Sequence, residues 1–245
     1  MNKAHQLRFP WHQWFWVLVV SLLAGALAYW VQHSGHDLQP NHWYFDAQQQ
    51  LFPWEEYPLI YSFGRIWIWL FPFGGALLVA LGCVWYWRLA TPLERKLGVR
   101  LALLLASGPW FIRAVKHLTA MPRPMLLQEF GGPEPLPTTF WAEVFAQGGG
   151  ALPSAHASAG FVLLGLGWFR YVRQKSFDAR VGWAWLIAVF LGLLFGWLRI
   201  MQGMHSLSQV IWSLAVINIY AALFFLPLWR QPNRDSVLFP QAVRQ

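Results

Sequence analysis

The stretch WAWLIAVFLGLLFGWL, residues 183–198, runs sixteen positions without a charged side chain. As a helix rising about 1.5 Å per residue it covers about 24 Å, close to the apolar thickness of a bilayer. Working outward from it, six apolar spans can be drawn. They lie at about Trp14–Trp30, Ile66–Trp87, Leu101–His117, Ala157–Phe169, Trp183–Leu198 and Leu207–Leu228. The fourth is short as drawn and needs residues from either side. In hydrocarbon every backbone polar group requires an internal partner, so each span is expected to be helical. Pro109 predicts a local kink in the third. The fold class is all-α: one polytopic membrane unit over residues 1–245, with six transmembrane helices.

Composition agrees. Apolar residues make up 57% of the chain and charged residues 11%, where a soluble domain carries about a quarter charged. Eighteen Trp and nineteen Phe supply rings of the kind that gather at bilayer interfaces. The single Cys83 falls inside an apolar run, which excludes a disulfide framework and a cysteine metal site and makes it a small core residue. The first span follows Lys3 and Arg8, is long for a signal-peptide core and lacks a cleavage site, so it reads as a retained helix.

A net charge of +8 would suggest nucleic acid as the partner of a soluble protein, but the placement of the cations points to a membrane instead. Lys3, Arg8, Arg88, Arg95, Lys96, Arg100, Arg170, Arg173, Lys175, Arg180, Arg230, Arg234 and Arg244 all fall on one side of the six-span layout. The positive-inside rule assigns that side, and both termini, to the cytoplasm. Five cations break the bias: Arg65, Arg113, Lys116, Arg123 and Arg199. A bound anion on the outer face would explain them.

The first outer loop, about Val31 to Gly64, includes an interfacial piece. The loop from Leu118 to Leu152 is rich in Pro and ends in Gly148-Gly149-Gly150, which reads as an ordered irregular cap with a flexible hinge. Lys116 ends the third helix and Arg123 follows seven residues on, stiffened by Pro124. Pro153-Ser154-Ala155-His156 opens the fourth helix, where Ser154 is suited to cap and free backbone N–H groups favour an anion. Arg199 closes the fifth helix and His205 precedes the sixth. Cations from two loops and a helix start make a cage for a phosphoryl group. Two histidines beside it permit covalent phosphoryl transfer, one attacking phosphorus and the other protonating the departing oxygen. Fixed cations stabilise the charge, so neither metal nor cofactor is required. His5, His12, His33, His36 and His42 read as solvated interfacial residues, and His117 as a packing or head-group contact.

These residues resemble the type-two phosphatidic acid phosphatases, the membrane lipid phosphate phosphatases. The first motif of that family, Lys, six residues, Arg-Pro, is matched by Lys116, Arg123 and Pro124. The second, Pro-Ser-Gly-His, stands here as Pro153-Ser154-Ala155-His156. The third, Ser-Arg, five residues, His, three residues, Asp, stands as Leu198-Arg199, then His205 and Gln209. The resemblance spans about residues 116–209. It implies that His205 is the nucleophile, becoming phosphohistidine, and His156 the general acid. Lys116, Arg123 and Arg199 would hold the phosphate, assisted by Ser154 and the N–H of Ala155.

Three positions depart from the pattern. Ala155 replaces Gly but keeps the N–H, and Leu198 replaces Ser. Gln209 replaces the Asp that would orient the nucleophile; its amide oxygen can accept from the imidazole but supplies no negative charge. The expectation is a metal-independent phosphatase at the periplasmic face of a bacterial inner membrane. Its substrate would be a lipid phosphate or diphosphate such as phosphatidate, phosphatidylglycerophosphate, undecaprenyl diphosphate or a lipid A phosphate. Phosphotransfer to a second lipid, and binding of anionic lipid without turnover, are the alternatives.

Overall fold

The computed structural model describes residues 11–137 and 150–229. They form α1 (Trp11–His33), α2 (Gln39–His42), α3 (Pro58–Arg65), α4 (Gly75–Tyr86), α5 (Pro92–Val115), α6 (Ala155–Phe161), α7 (Leu164–Gln174), α8 (Ala179–Met201) and α9 (Leu207–Trp229). No strand occurs among the described residues; the extended pairing is confined to isolated bridges, Asp46 with Leu51 and Leu127 with Glu134. Five helical segments are long and apolar enough to cross a membrane: Trp11–His33, Pro58–Tyr86, Pro92–Leu118, Ala179–Met201 and Leu207–Leu228. Large apolar side chains such as Leu22, Leu78 and Trp85 point outward. A soluble protein would not leave so much apolar surface in water; this is an integral membrane protein.

The boundaries shift where local chemistry overrides the apolar pattern. The second span begins at Pro58, within the expected outer loop, because α3 runs on through a 3-10 turn (Trp67–Trp69) and a π turn (Leu70–Gly74) into α4. Pro72 lacks the N–H a regular helix needs there, and the wider turn accommodates it. The third span begins at Pro92, under a capping box. Thr91 Oγ1 accepts from the Glu94 N–H at 3.3 Å, and Glu94 Oε2 accepts from the Thr91 N–H at 2.9 Å. Arg95, Lys96 and Arg100 thus belong to the first turns of α5, not to a loop.

The fourth expected span, Ala157–Phe169, is two helices. Between α6 and α7 the chain tightens into 3-10 turns, with the Leu163 N–H donating to Gly160 and the Leu166 N–H to Leu163. This pair is the axis of the bundle: Ala157 through Val162, Leu164, Gly167 and Trp168 are all buried. Small residues let the backbones approach. A Cβ on Gly160 would overlap the backbone of Gly192 on α8. Gly160→Ala is therefore expected to force α6 and α8 apart, costing about 1–3 kcal/mol. A thermal-shift assay in detergent would show it as a lower Tm. Gly74→Ala, where an added Cβ meets nothing within 4 Å, should leave the Tm unchanged.

Helix α1 packs along α9, where Asn218 Nδ2 donates to Ser21 Oγ at 3.0 Å and to the Val17 carbonyl at 3.3 Å. Over the end of the bundle that carries Lys116, a small apolar cluster of Phe52, Leu127 and Phe130 holds the two long loops together. The expected cap after Leu118 contains two 3-10 turns, Pro124–Leu126 and Gln128–Phe130. Gly148 and Gly149 of the expected hinge lie outside the described residues, and Gly150 has φ +69°. Cys83 is half-buried, on the α4–α5 contact opposite Gly98.

Candidate active site

Three segments far apart in sequence meet at that end, and backbone hydrogen bonds knit them. The Ala151 N–H donates to Met121 at 3.1 Å and Thr119 Oγ1 donates to the Leu152 carbonyl at 2.7 Å. Those bonds tie the loop of Lys116 and Arg123 to the turn before α6. The Met125 N–H donates to the Gly203 carbonyl at 2.9 Å, tying the same loop to the turn between α8 and α9. Gly203, at φ +66°, lets that turn reverse where another residue would be strained. The Ser154 N–H donates to Ser213 Oγ at 2.7 Å and to the Gln209 carbonyl at 3.2 Å, closing the triangle.

His205 lies at the centre, 2% exposed, its ring centroid 5.9 Å from that of His156. Its Nδ1 meets Gln209 Oε1 at 3.1 Å, one helical turn on. The same oxygen accepts from the Ser206 N–H at 3.2 Å, while Gln209 Nε2 donates to the Pro122 carbonyl at 3.1 Å. Those two contacts fix which way the amide faces. The oxygen faces the imidazole, Nδ1 carries the proton, and Nε2 keeps its lone pair. Burial holds the His205 imidazole well below the ordinary histidine range, with Lys116 and Arg199 adding to the effect. Burial thus favours the neutral form, the one that can attack an electrophile.

Two cavities share Trp69, Arg123 and His156. The larger, about 570 Å³, also has Lys116 and Ala155 on its wall, with apolar sides from Phe73, Pro109 and Trp110. The other, about 470 Å³, is polar and lined by Arg65, Arg199 and Gln202. His156 lies on both, its ring against Trp69 at 5.2 Å. Its Nδ1 is buried without a partner among the described residues, which leaves Nε2 to a ligand. Arg199, 8% exposed, donates from one terminal nitrogen to Gln202 Oε1 at 2.6 Å.

Of the residues expected at the site, Lys116, Arg123, Ala155, His156 and Arg199 line the cavities, and His205 and Gln209 lie beneath them. Ser154 serves first as a cap: it is fully buried and its Oγ accepts from the Ala157 N–H at 3.2 Å. His117 is exposed at the rim of the larger cavity and does not pack. His42 pairs with Glu129 at 2.7 Å, away from the cavities. Sequence reasoning missed Gln202, Ser213 and Asp37. Asp37 follows α1 and accepts from the Ser208 N–H at 2.6 Å, Ser208 Oγ at 2.8 Å and Ser206 Oγ at 3.0 Å. Burial raises its carboxyl above the ordinary value, while the Ser208 and Ser206 hydrogen bonds oppose the rise. No local pattern pointed to it, because its partners are about 170 positions away.

The arrangement offers a buried imidazole oriented by Gln209, a second imidazole near it, and three cations around two cavities that share Arg123. No curated protein and no solved structure matches the chain. A family model does: that of the PAP2 superfamily matches residues 97–234, more than half of the chain and all three motif segments. The two lines of observation meet in one statement, that this chain belongs to the PAP2 superfamily.

Proposed function

We propose that the protein is a metal-independent lipid phosphate or diphosphate phosphatase working through a phosphohistidine. Superfamily membership supports a phosphoric ester hydrolase of the lipid-phosphatase type. The observation that carries the reading is the His205–His156 pair, ring centroids 5.9 Å apart, at two cavities that share Arg123 and carry Lys116 and Arg199 on their walls. His205 Nε2 attacks phosphorus and a P–N bond forms. The P–O bond to the lipid breaks, and the proton on His156 passes to the departing oxygen. An anion among the three cations offsets their charge and favours that proton on His156. Water then cleaves the P–N bond, with His156 taking a proton from it, and phosphate leaves. The apolar sides of the larger cavity accept the lipid, and the cations hold the phosphoryl group.

In this reading the chain spans a bacterial inner membrane six times, with α6 and α7 together forming the fourth span. The cation distribution supports cytoplasmic termini and a site facing the periplasm. The test is release of inorganic phosphate from phosphatidate, phosphatidylglycerophosphate, undecaprenyl diphosphate and a lipid A phosphate. Release from at least one by the wild type is expected. Transfer of the phosphoryl group to an added lipid with little free phosphate would replace hydrolysis by phosphotransfer.

Gln209 favours a second reading, an anionic-lipid binder without turnover, because an amide cannot stabilise the imidazolium that a carboxylate would. Gln209→Asp separates the two. If the wild type turns over, the variant should be faster by about tenfold or more, in the direction that an Asp-to-amide change predicts in serine-protease triads. The acid limb of its kcat/KM profile should move up in pH, since the added charge favours protonated His205, which cannot attack. The wild-type limb should fall below pH 6.5. Silence in the wild type with activity gained in Gln209→Asp would establish the second reading.

A further inference from the structure

The turn that carries His205, between α8 and α9, is held from a part of the chain outside the matched region. Asn41 on α2, fully buried, spends both amide hydrogens on the two sides of that turn. One goes to the Ile200 carbonyl at 3.0 Å, the other to the His205 carbonyl at 3.1 Å. The Asp37 carboxylate holds the residues that follow. It takes the Ser208 N–H and both serine hydroxyls, and the Asp37 carbonyl accepts from the Leu207 N–H at 3.3 Å. Ordinarily the residue before a helix caps it with its own side chain. Here Ser206, the residue before α9, gives its hydroxyl to Asp37, and Asp37 takes the helix N–H in its place.

We propose that Asp37 is a positioning residue for His205. Together with Asn41 it fixes the backbone on both sides of the imidazole, and so aims Nε2 at phosphorus. The inference rests on His205 being the nucleophile. It also gives a physical place to Gln209: an amide orients the ring from one side more weakly than a carboxylate, and the Asp37 clamp holds the same ring through its backbone.

A cap that only stabilised α9 would lower Tm and change nothing specific at the site. Positioning predicts a split between ligands that bond to the nucleophile and ligands that do not. Orthovanadate expands to five-coordination and can bond to an imidazole nitrogen; inorganic phosphate needs only the cations. In the full chain in detergent, Asp37→Asn sets an amide N–H group against donors that need an acceptor. Its affinity for orthovanadate should fall about tenfold, while that for inorganic phosphate stays within about twofold. On a substrate found above, kcat should fall about tenfold or more with KM little changed. Ser208→Ala, which removes one donor to Asp37, should act in the same direction and more weakly, and serves if Asp37→Asn does not fold. In a Gln209→Asp background the Asp37→Asn loss should shrink, a coupling the double-mutant cycle reads.

An equal fall in vanadate and phosphate affinity, or no change in either, overturns the proposal. Absence of turnover in the wild type would defeat the phosphatase reading alone, since the vanadate-to-phosphate ratio still decides the role of Asp37.

Discussion

His205→Ala is expected to cut phosphate release by about 10⁴-fold or more, since removing the nucleophile of a covalent mechanism leaves only binding and electrostatic assistance. The prediction is sharp because, of the two close imidazoles, His205 is the one that Gln209 orients. His156 is near, but among the described residues no acceptor meets its Nδ1 as Gln209 Oε1 meets that of His205, and its ring rests on Trp69. The variant also leaves Gln209 Oε1 with only the Ser206 N–H, so some loss of stability will accompany the loss of rate. His205→Gln, closer in volume, separates the two effects. Rapid base quench of the wild type with labelled substrate should trap a phosphoenzyme that is stable in base and labile in acid. Both variants should lack it. Residual activity in His205→Ala within tenfold of wild type would remove His205 from the mechanism.

Arg199→Ala should come next, with kcat/KM lower by about 10²- to 10³-fold, the cost typical of removing one preorganised donor from a developing oxyanion. Arg199 is buried at the end of α8, where the terminal nitrogen that donates to Gln202 also lies close against Gly64. Its guanidinium is thus oriented before any ligand arrives. Arg199→Lys should recover little, because an ammonium cannot both donate to Gln202 and present a planar fork to phosphate. Gln202→Ala should lower the rate less, by loosening the guanidinium. A kcat/KM for Arg199→Ala within threefold of wild type would show that Lys116 and Arg123 carry the phosphate alone.

The helices were legible because apolar runs are long and bilayer-sized, and the site because its cations violate the charge bias of the rest. The register of Gln209 on His205 was legible too: four residues apart across a helix start, they face each other. Other features were not. Arg95, Lys96 and Arg100 read as loop residues because charge normally marks the end of an apolar span, yet a capping box at Thr91 starts the helix beneath them. The break between α6 and α7 leaves no sequence mark, since Val162 and Leu163 suit a helix; it arises where α6 closes on α8 at Gly160 and Gly192. Asp37 and Asn41 were invisible for a different reason. A side chain that bonds to the backbone of a distant turn imposes no pattern of its own at either end.

The packing of α1 along α9 bears on how the chain is made. Ser21 finds Asn218 across 197 positions, so the first helix is synthesised long before its polar partner exists. Until then it must reside in the bilayer on its own apolarity, which mean hydropathy over its length permits. The turn bearing His205 is completed from both directions at once, by Asp37 and Asn41 waiting upstream and by α9 arriving last. The turn is therefore complete only once the start of α9 has joined the segment after α1. A ribosome that stops before Ser206 leaves a set of inserted helices in which Asp37 still waits for both of its serines.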